Sequence, residues 1–451
     1  MTKKFRGTAA ALAAGALTLT MAPSALAAPD NSDADFKPNV ATPGLHRIAD
    51  KDRISTAVKA SQSRTWGVVK KVAPGSLYWE CTIPGDAWGL VARSRIQGTA
   101  VPANTQAGAT KVVEYTAWPG ERAETRRFTC TATVATKEIV RRDVHVIVAR
   151  SDDFPDAIAA SPLADVLNAP VLINPTAKLD ARVKEEIARL KATATGGGEV
   201  YVHLLGGTNA LSHGVEKAID GVLGDKEHTL RYQGIDRYQT AVAISSVALT
   251  VYGIDSGAGV QDANVYLTTG LDFADALAGG AAAANNDGVV LLTAGEKLDR
   301  RGFTEKYLMS LRTWVNDGLT NNTTETIAVG GPSARAAAKL DIRLAKEYVG
   351  KDRFDTAAKT AKGEFSMKKS ATHTQNFAVV SGVTYADALV ASGYIANADG
   401  PLLLTHPGKL SAVTGKYLGS VADSHDRVFT FGGPGAMDNA VHAAINDLLN
   451  F

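Results

Sequence analysis

Residues 234–244 read GIDRYQTAVAI, with an arginine at the second position of what the pattern makes a helix. A helix N-terminus carries partial positive charge, so a cation there is disfavoured. The same arrangement returns as KDRISTAV from Lys51 and KDRFDTAA from Lys351. An awkward residue kept three times points to an internal repeat, and the rest of the chain has to be read with that period in mind.

Four short signatures recur in one order. A DR box (Asp52-Arg53, Asp236-Arg237, Asp352-Arg353) is followed by Thr56, Thr240 or Thr356. A DA box follows as DFPDA ending at Ala157, DFADA ending at Ala276 and TYADA ending at Ala388. Then come an apolar run (PVLINP from Pro170, GVVLLTA from Gly288, GPLLLTH from Gly400) and a glycine pair at 206–207, 330–331 and 432–433. The second aspartate of each DA box (Asp156, Asp275, Asp387) precedes Pro170, Val289 or Pro401 by 14 residues each time. From DR arginine to that aspartate the distance is 38 residues in the second copy, 34 in the third and 103 in the first. The first copy therefore carries an insertion, between Trp66 and Arg142.

In the second copy TLRYQG, NVYLTTG, GVVLLTA and TIAVGG read as strands. DRYQTAVAISSVA, FADALAGGAAAANN, the stretch around 306–315 and SARAAAKLDIRLA read as helices. Strands apolar throughout and separated by helices imply parallel sheets covered on both faces. The insertion differs. It holds both cysteines, Cys81 and Cys130, three of the five tryptophans, and alternating runs such as KVVEYTAW and RFTCTATV, punctuated by Pro-Gly pairs. It reads as a small antiparallel β-domain, with a faint similarity to bacterial immunoglobulin-like modules.

The ordered motifs, GIDRYQTAVAI, TGLDFADALAGGAAA, GVVLLT and the glycine pair with their counterparts, resemble the cell wall binding repeat type 2 family. The resemblance covers 45–66 and 144–451. It implies an extracytoplasmic protein of Gram-positive bacteria whose three α/β repeats pack as a pseudo-threefold, doubly wound body. The implied partner is an anionic secondary polysaccharide or teichoic-acid-like polymer of the wall, held non-covalently. The expected organisation is a signal peptide (1–27), a linker (28–44), a discontinuous first repeat (45–66 and 143–225), the insertion (67–142), a second repeat (226–343) and a third (344–451). The family usually carries a separate effector domain, and here the insertion is the one candidate, with Tyr78, Trp79, Trp88 and Trp118 available to a protein partner or to the insertion's own core.

The repeated residues are the candidate site. Asp236 with Gln239, and Asp352 with Asp355, have capping-box spacing, and so do Asp153 with Asp156, Asp272 with Asp275, and Thr384 with Asp387. Gly207, Gly331 and Gly433 serve either a sharp strand-to-helix turn or an anion on exposed N–H groups. Capping leaves Arg53, Arg237 and Arg353 unexplained. They pair with a DA-box carboxylate as an inter-repeat clamp, or reach an anionic group of the polymer.

Composition narrows the classes. The apolar fraction of 45% and charged fraction of 21% are those of a globular chain. Lys3, Lys4 and Arg6, the apolar run to Met21 and Ala25-Leu26-Ala27 make a secretory leader, too short to remain as a membrane span. Without its three cations the formal charge of +2 becomes −1, which gives no field for nucleic acid. In an exported chain Cys81 and Cys130 are expected to form one disulfide. The sequence has no H-E-x-x-H, no G-x-S-x-G and no Walker loop, and its nine histidines are scattered, with His203 reading as a core residue. The expectation is a monomer with no enzymatic activity, cofactor or metal; the alternatives are an adhesin acting through the insertion and a hydrolase with an unrecognised site.

Overall fold

The structure, a computed structural model, describes residues 42–82, 87–117, 124–224, 228–256, 264–299, 301–313, 325–370 and 372–451. The leader and most of the linker lie outside them, as does Trp118.

Copy one begins with β1 (Gly44–Ile48) and α1 (Arg53–Gln62) and is interrupted by β2 (Val68–Val72), β3 (Leu77–Thr82), α2 (Ala87–Ile96), β4 (Thr110–Ala117) and β5 (Glu124–Val134). It resumes with β6 (Ile139–Arg150), α3 (Ser161–Val166), β7 (Val171–Asn174), α4 (Ala181–Lys191), β8 (Val200–Leu205) and α5 (His213–Leu223). Copy two is β9 (Thr229–Tyr232), α6 (Arg237–Ser256), β10 (Val265–Thr269), α7 (Ala274–Asn285), β11 (Val289–Thr293), α8 (Phe303–Thr313), β12 (Thr326–Val329) and α9 (Gly331–Lys339). Copy three is β13 (Lys346–Tyr348), α10 (Arg353–Glu364), β14 (Asn376–Ser381), α11 (Tyr385–Ala396), β15 (Leu402–Thr405), α12 (Ala412–Val421), β16 (Arg427–Phe431) and α13 (Asn439–Leu449). Each copy thus alternates strand and helix four times. Strands such as β7, β10, β11 and β15 are buried at every position, as continuous apolar runs between helical layers require.

The sheets do not respect the copy boundaries. The leading strand of each copy pairs, in parallel, with the preceding copy's sheet: β9 with β8, β13 with β12, and β1 with β16. The three copies therefore form a closed cycle, the last one completed by the first. In every sheet the second strand lies centrally between the third and fourth (β7-β6-β8, β11-β10-β12, β15-β14-β16), and the borrowed strand lies outside the fourth. One hydrophobic core runs through all three copies, and α3, α7 and α11, the helices after the second strand of each copy, touch pairwise at its centre. There Ser161 Oγ meets Ser392 Oγ at 2.6 Å, Ser392 Oγ donates to Leu277 O at 2.9 Å, and Gly280 at the same position of its helix leaves room for both hydroxyls.

Another tie closes the cycle between copies one and three. Arg64, just past α1, is buried and donates to Tyr394 O at 2.7 Å and Asn397 O at 2.8 Å at the C-terminus of α11. Its guanidinium lies over the rings of Trp66 and Tyr394. Burial lowers its pKa to about 10.

The insertion departs from the all-β, immunoglobulin-like expectation. Its core is a three-stranded antiparallel sheet, β3-β5-β4, backed by the ten-residue helix α2. Trp79, Tyr115, Phe128, Ala92 and Ile96 enclose the Cys81–Cys130 disulfide, which joins residues directly opposite on β3 and β5. Trp79 is therefore core; the side chain of Trp88 lies outside the described residues.

Nor does the insertion stand apart. β2 pairs antiparallel with the first half of β6, whose second half is the central strand of copy one. α2 and β4 pack on α6 of copy two. Three cations share two carboxylates at this seam: Lys70 is paired with Asp143 at 2.8 Å, Arg141 with Asp143 and Glu199, and Arg93 with Glu199. Burial lowers the Lys70 pKa to about 8 against the pull of Asp143.

Beneath it runs a fully buried polar chain. Ser94 donates to Val91 O, so its Oγ accepts from His145 Nε2 (3.3 Å). His145 Nδ1 then accepts from His203 Nε2 (2.9 Å), and His203 Nδ1 accepts from the Tyr232 hydroxyl (2.9 Å). This fixes both tautomers and links the insertion, two strands of copy one and the leading strand of copy two.

Candidate functional site

The DR boxes form as the local chemistry demands. Asp52, Asp236 and Asp352 accept from the N–H three residues on (Ser55, Gln239, Asp355) at 2.9–3.0 Å. The Gln239 and Asp355 side chains return to the N–H of Ile235 and Lys351. Thr56, Thr240 and Thr356 accept from the N–H of Asp50, Gly234 and Gly350. These contacts hold the start of each helix and aim its arginine across the carboxyl ends of the strands.

Each arginine reaches the loop after its own copy's second strand. Arg53, Arg237 and Arg353 donate from Nη1 to Ser151 O (2.9 Å), Gly270 O (2.6 Å) and Gly382 O (2.7 Å). A main-chain carbonyl, rather than a buried bidentate carboxylate, is the shared partner. Carboxylate pairing occurs once among the described residues, where Arg353 Nη2 meets Asp272 of the preceding copy at 2.8 Å, both side chains partly exposed. The positions equivalent to Asp272 are Asp153 and Thr384.

The DA-box acids meet the capping expectation only in part: Asp272 Oδ1 accepts from the N–H of Phe273 (2.7 Å) and Ala274 (3.3 Å), and Asp153 Oδ1 from the N–H of Phe154 (2.9 Å). Phe273 and Thr384, the residues just before α7 and α11, make no side-chain cap bond of their own, and Asp156 lies in the turns ahead of α3. Asp156, Asp275 and Asp387 instead sink against the first glycine of each pair. A Cβ on Gly206, Gly330 or Gly432 would come within 2.5, 2.0 or 2.5 Å of the corresponding carboxylate. All three glycines have φ of 92° to 94°. The first glycine, not Gly207, Gly331 or Gly433, is the one the geometry requires.

Burial raises the pKa of all three acids, to about 6 for Asp275, where Asp272 adds to the effect and Arg353 opposes it. Each acid feels the arginine of the next copy: Asp156 feels Arg237, Asp275 feels Arg353 and Asp387 feels Arg53. Gly330→Ala should cost at least ~2 kcal/mol, because φ 92°, ψ 148° is glycine territory and Asp275 must move; urea denaturation reads this as a lower midpoint.

A further set escaped the sequence reading. Phe154, Phe273 and Tyr385, the aromatic position of the three DA boxes, meet with ring centroids 5.7–6.3 Å apart. Arg353 lies over Phe273 and Arg53 over Tyr385. The signal was present in DFPDA, DFADA and TYADA, where an aromatic residue recurs beside the acids. Exposed Ile235, Leu271 and Val383 occupy the surrounding DR-box and post-strand loops. Among the described residues no group of three or more His, Cys, Asp or Glu is placed to hold a metal ion, and no helix is long and apolar enough to cross a membrane.

The sequence pattern of Cell wall binding domain 2 (CWB2) matches residues 109–216, 231–337 and 347–442, more than half the chain. The chain belongs to that family. Solved relatives of similar fold are Cwp6 from Clostridium difficile (TM-score 0.58, 16% identity, 90% of this chain and 48% of that one) and Cwp8 from Clostridium difficile (TM-score 0.57, 19% identity, 90% and 52%). N-acetylmuramoyl-L-alanine amidase LytC of Bacillus subtilis (strain 168) is 27% identical over 212 residues, 47% of this chain and 38% of that protein. The CWB2 chain thus spans about half, or less, of the length of these relatives. Membership associates it with the cell wall.

Proposed function

We infer that this CWB2 chain is an exported, non-enzymatic wall-binding protein that holds an anionic wall polymer on the face formed by the carboxyl ends of its strands. The observation that carries this reading is the cyclic pairing of the copies, each leading strand completing the sheet of the copy before it. Three DR arginines, three DA-box acids and three aromatic rings gather on one face, and each arginine lies beside the acid of the preceding copy. A repetitive polymer meeting repeated weak contacts gains through effective concentration. The insertion packs against copies one and two, through β2 on β6 and through α2 and β4 on α6.

The amidase similarity covers 38% of that protein, and the DA-box acids have a structural use against the glycines. Co-sedimentation of the full chain with purified walls tests the reading. Retention should fall at least tenfold on walls stripped of their secondary polymers. Equal retention on stripped walls, or release of peptidoglycan fragments by the chain alone, counts against it.

A further inference from the structure

The three clefts between copies are not alike. In the cleft between copies two and three, Arg353 is tied down by Asp272. In that between copies one and two, Arg237 is in the field of Asp156, which Asp153 and Arg150 also flank. In both, an aspartate at the first position of the DA box, Asp272 or Asp153, adds a second carboxylate beside the buried acid.

The cleft between copies three and one is different, because Thr384 stands where the other copies have an aspartate and makes no side-chain cap bond. Arg53 is exposed, is held only from Nη1, by Ser151 O and the Tyr385 hydroxyl, and has no further partner among the described residues. Its neighbour Asp52 is committed to the helix cap and to Arg182. Across from Arg53, Asp387 is 9% exposed, and its Oδ1 is buried with no hydrogen-bond partner. The half-buried Tyr385 ring lies between them in sequence and in contact with Arg53. Asp153 and Asp152, in the loop after β6, also act on Tyr385; Asp152 is paired with Arg150.

We propose that this one cleft, formed by Arg53, Tyr385 and Asp387, is the subsite for an acidic sugar unit. The carboxylate or phosphate goes to Arg53, a sugar hydroxyl to Asp387 Oδ1, and the ring face to Tyr385. The proposal rests on the wall-binding reading and narrows it, since the ring is threefold in form but singly occupied.

Isothermal titration of the full chain tests it, with oligo-glucuronate, oligo(glycerol phosphate) and a neutral gluco-oligosaccharide of equal length. At least one acidic probe should bind, with one site per chain, and the neutral one should not; the two acidic arms distinguish carboxylate from phosphate. Thr384→Asp supplies Arg53 with the carboxylate that Asp272 gives Arg353, and should weaken binding at least tenfold, as should Arg53→Gln. Asp272→Thr frees Arg353 and should raise the stoichiometry towards two. Binding by neither acidic probe, or by Thr384→Asp and Arg53→Gln as by the parent, overturns the proposal. Parallel wall sedimentation separates the two levels. Full retention of Thr384→Asp on walls sinks the subsite alone, whereas no retention of the parent chain sinks the wall-binding reading.

Discussion

Arg64→Ala should destabilise the protein by roughly 3–5 kcal/mol, more than loss of any other single side chain at the junctions between copies. The substitution leaves the carbonyls of Tyr394 and Asn397 without their donor inside the core. It also removes an alkyl stem and a planar cation packed against Trp66 and Tyr394. Loss of a cation from the C-terminus of α11 adds to the cost. Arg64→Lys should recover less than half, because an ammonium cannot span both carbonyls and stack. Urea denaturation should show a lower midpoint at unchanged slope. A loss below about 1 kcal/mol would mean that the junction of copies one and three is held elsewhere.

The second large effect is a dependence on acid. His145 and His203 are fully buried, and burial holds both rings neutral, His203 with a pKa lowered to about 3 and His145 well below its usual 6.5. Unfolded rings take up a proton near pH 6.5, and the folded ones do not. The unfolded state therefore binds more protons below that pH, and each ring withdraws about 1.4 kcal/mol of stability per pH unit as the pH falls towards its folded pKa. Asp156, Asp275 and Asp387 act in the opposite sense, since their raised folded values favour the folded state as they protonate. The test is thus a difference between two proteins. His203→Leu should cost roughly 2–4 kcal/mol at pH 7.5, through loss of the buried bonds to the Tyr232 hydroxyl and His145 Nδ1. Its stability should then fall less steeply than the parent's between pH 6.5 and 5, by about 1.4 kcal/mol per unit. Parallel pH profiles would show that His203 does not stay neutral in the fold.

The alternation of strand and helix was legible because buried parallel strands and capped helices leave local marks, such as GVVLLTA, the Asp52 and Asp352 caps, and the 14-residue spacing. The destination of the leading strands was not. TLRY carries no sign that it pairs with HLL of the copy before it rather than with its own sheet, since register and partner are settled by packing over long range. The second acid of each DA box misled for a related reason. Acidic spacing at a helix start satisfies the capping rule, yet the void beside Gly206, Gly330 and Gly432 exists only after the strands are assembled. The helix α2 was hidden in the insertion because AWGLVARSRI lies between strongly alternating strands, and its periodicity is shallow. The pairing of Cys81 with Cys130 followed from two cysteines in a chain expected to be exported.

Everything proposed for the polymer face requires that copy one close the cycle on copy three, so that Arg53 faces Asp387. Hydrogen exchange of the β1 amides tests this most directly, since β1 is paired with β16 over Gly44–Ile48. Those amides that bond to β16 should exchange within about tenfold of the β16 amides, through the same global opening. Exchange of β1 at the rate of a frayed terminus, with β16 still protected, would contradict the closed cycle and the cleft built on it.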